Sequence, residues 1–306
     1  MKEIYDIAII GAGAAGCTAA IYSARRNLKT ILFDMKSIGG LFREATIIEN
    51  YPGFEKISGI ELAMKFMNHV KTLPVKIIQS SVENIEKEKN LFEIRTEQGS
   101  FTAKSIIITS GLQPKGLGLE NEKRFIGRGV SYCATCDAPL FQGKDVAVIG
   151  GGNSAFYYAL HLSEICSKVY LINHEKKFIA DEFIISKVEA KKNIGIKTPF
   201  LVSELKGNKF LEAIRIKNTG NSKEETIKIS GIFIAIGQEP KLDYLKNLKP
   251  VLGEKGTLKI DQDFKTSIPG VFAAGDITGT AGQIVIAAGQ GAKAAMNAAQ
   301  HLKGEK

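Results

Sequence analysis

Three features of the sequence predict an α/β chain of two Rossmann-like dinucleotide-binding domains, the second inserted into the first. A glycine-rich turn between a β-branched run and a helical pattern occurs twice, as DIAIIGAGAAGCTAA from Asp6 and as DVAVIGGGNSAFYYA from Asp145. The next strand-like run keeps the same spacing in both copies, KTILFD closing on Asp34 and KVYLIN on Asn173. A further strand and a long alanine-rich helical pattern, GVFAAGDITG and then QIVIAAGQGAKAAMNAAQHL, follow after the second copy has closed. One glycine fingerprint alone is weak evidence, because glycine-rich turns are common. Two in register, each in strand–turn–helix context, are strong.

Each element has a physical reason. The first strands of the two copies are short and apolar throughout, the pattern of parallel strands covered on both faces. Gly11 and Gly150 permit the sharp strand-to-helix turn. Gly13 and Gly152 let the backbone approach a pyrophosphate at a helix N-terminus, with Ala14 in the first copy and Asn153 and Ser154 in the second opening those helices. Gly16 and Ala155 allow close helix–strand packing. Asp34, at the tip of its strand, can accept hydrogen bonds from ribose hydroxyls, while Asn173, its counterpart, can bond a ribose only more weakly. Closing strands follow as SIIITSG at 105–111 and GIFIAIG at 231–237. The segment 270–279 runs a strand into Gly275–Asp276 and completes the first domain. The expected domains are therefore 1–112 with 243–306, and 113–242, the crossings lying near GLQPKG and GQEPKL where Gly and Pro mark linkers.

Composition narrows the setting. The chain has 306 residues, ample for two cores, and a net charge of +9 that comes mostly from scattered lysines. No arginine-rich stripe or nucleic-acid motif accompanies that charge, so a solvated surface that favours acidic protein partners is the better reading. No run approaches the ~18 apolar residues of a membrane span. The N-terminal MKEIYDIAIIGAG enters a strand at once, with no room for a signal peptide, so a cytoplasmic protein is expected.

Of the four cysteines, Cys17 and Cys166 fall in or near helical patterns and read as buried apolar fillers. Cys133 and Cys136, in YCATCDAP, read as a redox pair, since two intervening residues let the sulfurs meet. The alternative is half of a zinc site, but neither the four histidines nor the other cysteines supply a second ligand pair, and no metal is expected. Asp137 is placed to move protons for a departing thiolate, or else to cap a helix.

At this point the chain resembles the low-molecular-weight flavoprotein thioredoxin reductases along its whole length. The residues that carry the likeness are GAGAAG at 11–16, ENYPG at 49–53, GRGVSYCATCDAP at 127–139, GGGNSA at 150–155 and GVFAAGD with the following GQI. The resemblance implies FAD across the first domain, which makes 113–242 the NAD(P)-binding-like domain with the redox pair. Its pyrophosphate would lie at Gly11–Gly16, with Gly40 beside it, Asn50 near the isoalloxazine, and Gly275, Asp276, Gln283 and Ile284 at the ribityl and ring end. Cys136 would be the thiol next to the flavin and Cys133 the one that attacks a thioredoxin or glutaredoxin-like partner. Relatives are homodimers whose inserted domain rotates.

The resemblance also marks a departure. NADPH-dependent members carry His-Arg-Arg-x-x-x-Arg after the second strand of the inserted domain, arginines that grip the 2′-phosphate. Here those positions are Asn173, His174, Glu175 and Ile179, and a glutamate repels where a fork of donors is needed. Lys176 and Lys177 could substitute as point charges for NADPH, Asn173 could serve NADH, and some relatives take electrons from reduced ferredoxin. Tyr157 and Tyr158 replace acids found in related reductases, where they could crowd a nicotinamide or simply pack a helix. The expected activity is an FAD-dependent protein-disulfide reductase with NADPH a doubtful donor. The alternatives are a dithiol oxidase that uses oxygen, or a flavin-bearing redox sensor.

Overall fold

A computed structural model describes residues 3–35, 39–45, 47–280 and 282–304. The chain divides into two compact units, residues 1–113 with 239–306, and residues 114–238.

The first unit is built on a central sheet. Its strands are β1 (Ile4–Ile10), β2 (Thr30–Phe33), β3 (Val75–Ile78), β4 (Val82–Glu88), β5 (Leu91–Thr96) and β6 (Gly99–Ile108), in the order β3-β2-β1-β6-β5-β4. Pairings among β1, β2, β3 and β6 are parallel, whereas β4, β5 and β6 form an antiparallel meander. Helices α1 (Ala14–Ala24) and α2 (Gly59–Lys71) follow β1 and β2. The chain then leaves for the second unit, and on its return adds β17 (Val271–Ala273), parallel to β6, and helix α7 (Ile284–Lys303).

Side chains alternate across this sheet, so each face has its own core. Ile7, Ile9, Leu32 and Ile107 pack with Cys17, Ala19, Ala20, Ala294 and Ala298 of α1 and α7. Ala8, Ile10, Ile31, Phe33 and Ile106 pack on the other face with Tyr244, Leu245 and Leu258. The helices α1 and α7 approach backbone to backbone at Gly291. A Cβ on Gly291 of α7 would lie 2.0 Å from the Ala15 carbonyl oxygen, so any larger residue there would push the helices apart.

The second unit begins with α3 (Glu122–Phe125), β8 (Val130–Ser131) and α4 (Ala134–Asp137). A parallel sheet follows in the order β11-β10-β9-β15-β8, from β9 (Asp145–Ile149), β10 (Lys168–Ile172), β11 (Ile194–Lys197) and β15 (Gly231–Ile234). Helices α5 (Asn153–Ser163) and α6 (Glu182–Glu189) pack on one face through Phe156, Ala159, Leu162, Ile184 and Val188. An antiparallel sheet of β12 (Phe200–Lys206), β13 (Ala213–Asn218) and β14 (Glu224–Lys228) covers the other through Val202, Leu205, Ile214 and Ile216. The crossings β7 (Gln113–Pro114) and β16 (Gln238–Glu239) pair with each other. Neither the β4–β5 hairpin nor the β12–β14 sheet was among the elements expected from the sequence. Cys166 lies just past α5, which ends at Ser163, and is buried, in keeping with its expected place near a helix end. Among the described residues, no helix is long and apolar enough to cross a membrane.

Candidate functional site

In the first unit, the expected cofactor residues gather at the C-terminal ends of the parallel strands, the edge where open α/β sheets bind ligands. Gly11 adopts φ +104°, and its N–H donates to the Phe33 carbonyl at 2.8 Å. A Cβ on Gly16 would lie 1.8 Å from the Gly11 carbonyl oxygen, so only glycine lets α1 start this close to β1. Gly13 caps α1 with no side-chain bond, and nothing stands within 4 Å of where its Cβ would be. The first N–H groups of α1, from Ala14 on, carry the positive end of the helix dipole at this turn. Gly40 lies against this turn, its absent Cβ 3.2 Å from Gly13 Cα, and Gly275 lies beside Ala15.

Two carboxyl groups border the cradle. Asp34 Oδ2 accepts the Ala12 N–H at 2.6 Å, which fixes the carboxyl at the strand tip. Asp276 starts a short 3-10 turn, and burial pushes its carboxyl above the usual range. The Gly275 N–H donates to Gln290 Oε1 at 2.8 Å. Asn50 Nδ2 donates to Gln283 Oε1 at 3.1 Å, so these two distant residues meet just before Ile284 begins α7. An uncapped helix N-terminus, a close glycine turn and a strand-tip carboxylate together fit the pyrophosphate and ribose of a flavin dinucleotide.

The second glycine turn repeats the backbone but not the surroundings. Gly150 takes φ +143° and Gly152 caps α5 without a side-chain bond. Asn173, however, is buried and turns its amide back on its own chain, Nδ2 donating to the Glu175 carbonyl at 2.9 Å and the Lys177 carbonyl at 3.2 Å. The chain after it returns to the turn, with the Ile179 N–H on the Gly151 carbonyl at 2.9 Å. Asn153 and Asp181 bond reciprocally at 2.9 and 2.8 Å, and Ser154 is exposed beside them. Ile179 is 89% exposed, and His174, Glu175, Lys176 and Lys177 are also exposed.

Cys133 and Cys136 form a disulfide with Cα atoms 5.4 Å apart. Cys133 caps the single turn α4, its sulfur accepting the Cys136 N–H at 3.2 Å. Asp137 closes that turn and takes the Ser131 hydroxyl at 2.6 Å on Oδ2. The loop is anchored from below. Tyr158 donates to the Tyr132 carbonyl at 3.3 Å, and the Tyr132 hydroxyl donates to the buried Glu122, which also accepts the Gly118 N–H at 3.0 Å. Burial and then this bond to Glu122 push the Tyr132 phenol well above its ordinary range. Tyr158 therefore supports the redox loop, whereas Tyr157 is exposed. The other two thiols are buried and burial keeps them protonated, Cys17 pushed up to about 12 and Cys166 to about 11.

Sequence reasoning missed Ser131, Tyr132, Glu122, Tyr158 as a tether, and Asp181. Of these, the sequence singles out only Tyr158, as a residue that crowds a nicotinamide or packs a helix.

Residues 5–292 match the family described as pyridine nucleotide-disulphide oxidoreductase. The thioredoxin reductase of Buchnera aphidicola subsp. Baizongia pistaciae is 38% identical over 98% of this chain and 95% of its own length. The crystal structure of Lactococcus lactis thioredoxin reductase superimposes with a TM-score of 0.85 at 35% identity, over 98% of this chain and 99% of that one. A ferredoxin-flavin thioredoxin reductase from Clostridium acetobutylicum matches over 100% of both chains at 32% identity, with a TM-score of 0.56.

Proposed function

The chain belongs to the low-molecular-weight thioredoxin reductase family, and from that premise we propose that it is an FAD-dependent reductase of a thioredoxin- or glutaredoxin-like protein. The observation that carries this reading is the Cys133–Cys136 disulfide, held in one loop with Asp137. Bound FAD would supply the two electrons that open the disulfide, entering at Cys136. The Cys133 thiolate then attacks the partner's disulfide. That S–S bond breaks, a mixed disulfide forms, and the electron pair leaves on the partner's second sulfur, which takes a proton from Asp137. The Asp137 carboxylate accepts the Cys136 proton as Cys136 attacks Cys133 Sγ, which restores the disulfide and releases the partner reduced.

The finer part of the proposal concerns the donor. Where NADPH-dependent members have a histidine and three arginines, this chain has Asn173, His174, Glu175 and Ile179. We assign NADPH no efficient role and favour a reduced ferredoxin. Its acidic surface suits a chain of net charge +9, which would steer it electrostatically. One observation favours a second reading: the second glycine turn keeps its backbone and its uncapped helix, leaving NADH at Asn173, or NADPH at Lys176 and Lys177, as rival donors. Stopped-flow reduction of the flavin without oxygen, with the three donors in parallel, decides between them. Reduced ferredoxin is expected to bleach it fastest, in a reaction that slows as salt rises; fast bleaching by micromolar NADPH would hand the phosphate to the two lysines.

A further inference from the structure

Ser131 is the last residue of β8, buried at 4% exposure, and its hydroxyl touches both functional ends of the redox loop. Its Oγ accepts the Cys133 N–H at 3.1 Å. Two acceptors lie within reach of its single hydrogen, Asp137 Oδ2 at 2.6 Å and the Cys133 carbonyl at 3.2 Å. With Asp137 ionised, the hydrogen belongs on the carboxylate, the stronger acceptor. With Asp137 protonated, the carboxyl O–H can donate to Ser131 Oγ while the serine hydrogen turns to the Cys133 carbonyl. A hydroxyl has one hydrogen and two lone pairs, so Oγ can accept from Cys133 and Asp137 together. Both protonation states are satisfied by rotating one hydrogen, with every heavy atom left in place.

We propose that Ser131 is the positioning residue of the redox loop, a two-way hydroxyl that holds Asp137 against the Cys133 backbone through both halves of its proton cycle. This rests on Asp137 serving as the proton donor and acceptor of thiol–disulfide exchange. In the first half, Asp137 gives its proton to the partner thiolate and the serine hydrogen swings onto the new carboxylate. In the second, Asp137 takes the Cys136 proton and the serine hydrogen swings back. No proton is gained or lost at Ser131, which acts only through Asp137. A valine has the shape of a threonine at this position but supplies neither bond.

The test is the single-turnover rate of thioredoxin reduction by the photoreduced, FAD-loaded protein. The variants are Ser131→Ala, the shape-matched pair Ser131→Thr and Ser131→Val, Asp137→Asn, and Ser131→Val combined with Asp137→Asn. Ser131→Val and Ser131→Ala are expected to slow the step about tenfold, the worth of one hydrogen bond to a charged group, with Ser131→Thr within about threefold of the parent. Adding Ser131→Val to Asp137→Asn should cost nothing more, because the residue it positions is already disabled. FAD content and the thermal midpoint report folding, and if Ser131→Ala fails to fold, the threonine–valine pair decides. Equal rates for threonine and valine would overturn the proposal, as would losses that multiply in the double variant. Slowing by Asp137→Asn without slowing by Ser131→Val would sink the role of Ser131 alone. No effect of Asp137→Asn would remove the proton role of Asp137, and this proposal with it.

Discussion

The donor assignment turns on two exposed side chains, and replacing both should create what the chain lacks. Glu175→Arg with Ile179→Arg restores two of the guanidinium groups that NADPH-dependent members place after β10. The sites tolerate the change. The Glu175 side chain is 71% exposed and Ile179 is 89% exposed, so no core packing is lost. The Ile179 N–H bond to the Gly151 carbonyl belongs to the backbone and survives substitution. A charge-assisted hydrogen bond is worth ~1.5–3 kcal/mol where it is shielded. At sites this open, screening brings each new contact to about 1 kcal/mol, and removing the Glu175 charge adds a few tenths more. The sum, ~2–3 kcal/mol, corresponds to NADPH binding tighter by ~30–150-fold. Anaerobic titration of the flavin protein with NADPH, followed by nucleotide fluorescence and by flavin bleaching, measures it. NADH, which lacks the 2′-phosphate, serves as the control and should change by less than about threefold. An unchanged affinity for NADPH, or an equal gain for NADH, would refute the reasoning that the missing arginines set the donor.

Two further outcomes concern the thiols. Cys133→Ser should abolish thioredoxin reduction and leave Cys136 as a thiolate beside the flavin, visible as long-wavelength charge-transfer absorbance, while Cys136→Ser should lack that band; bands in the opposite variants would exchange the two roles. Alkylation of the reduced native protein at pH 8 should modify Cys133 and Cys136 only, because burial holds the Cys17 thiol up to about 12 and the Cys166 thiol up to about 11. Mass spectrometry should find four labels after unfolding, and native labelling of Cys17 would contradict its burial.

The sequence revealed what local chemistry determines. Gly11 and Gly150 were legible because a strand-to-helix turn needs a positive φ, and both have one. The equivalent strands β1 and β9 of the two units were legible because a continuous apolar run can only be covered on both faces. The β4–β5 hairpin was written in alternation too, in VENIEKE and LFEIRT, but its many charges mask the period-2 signal. Asn173 was legible as a strand-tip residue, yet no sequence pattern says that its amide turns inward to the Glu175 and Lys177 carbonyls. Ser131 and Tyr158 were opaque for a related reason. A serine six residues before an aspartate and a tyrosine on a helix acquire their partners only when β8, α4 and α5 pack together.

The most direct measurement starts from the protein reduced by light without oxygen, so that no donor is needed, and mixes it with oxidised thioredoxin. Rapid reoxidation of the flavin is expected, with four thioredoxin thiols formed for each flavin, two from the electron pair of the flavin and two from that of the dithiol, a reaction lost in Cys133→Ser. A flavin that stays reduced with thioredoxin yet reoxidises on admitting oxygen, with small dithiols consumed, would contradict it and identify a dithiol oxidase instead.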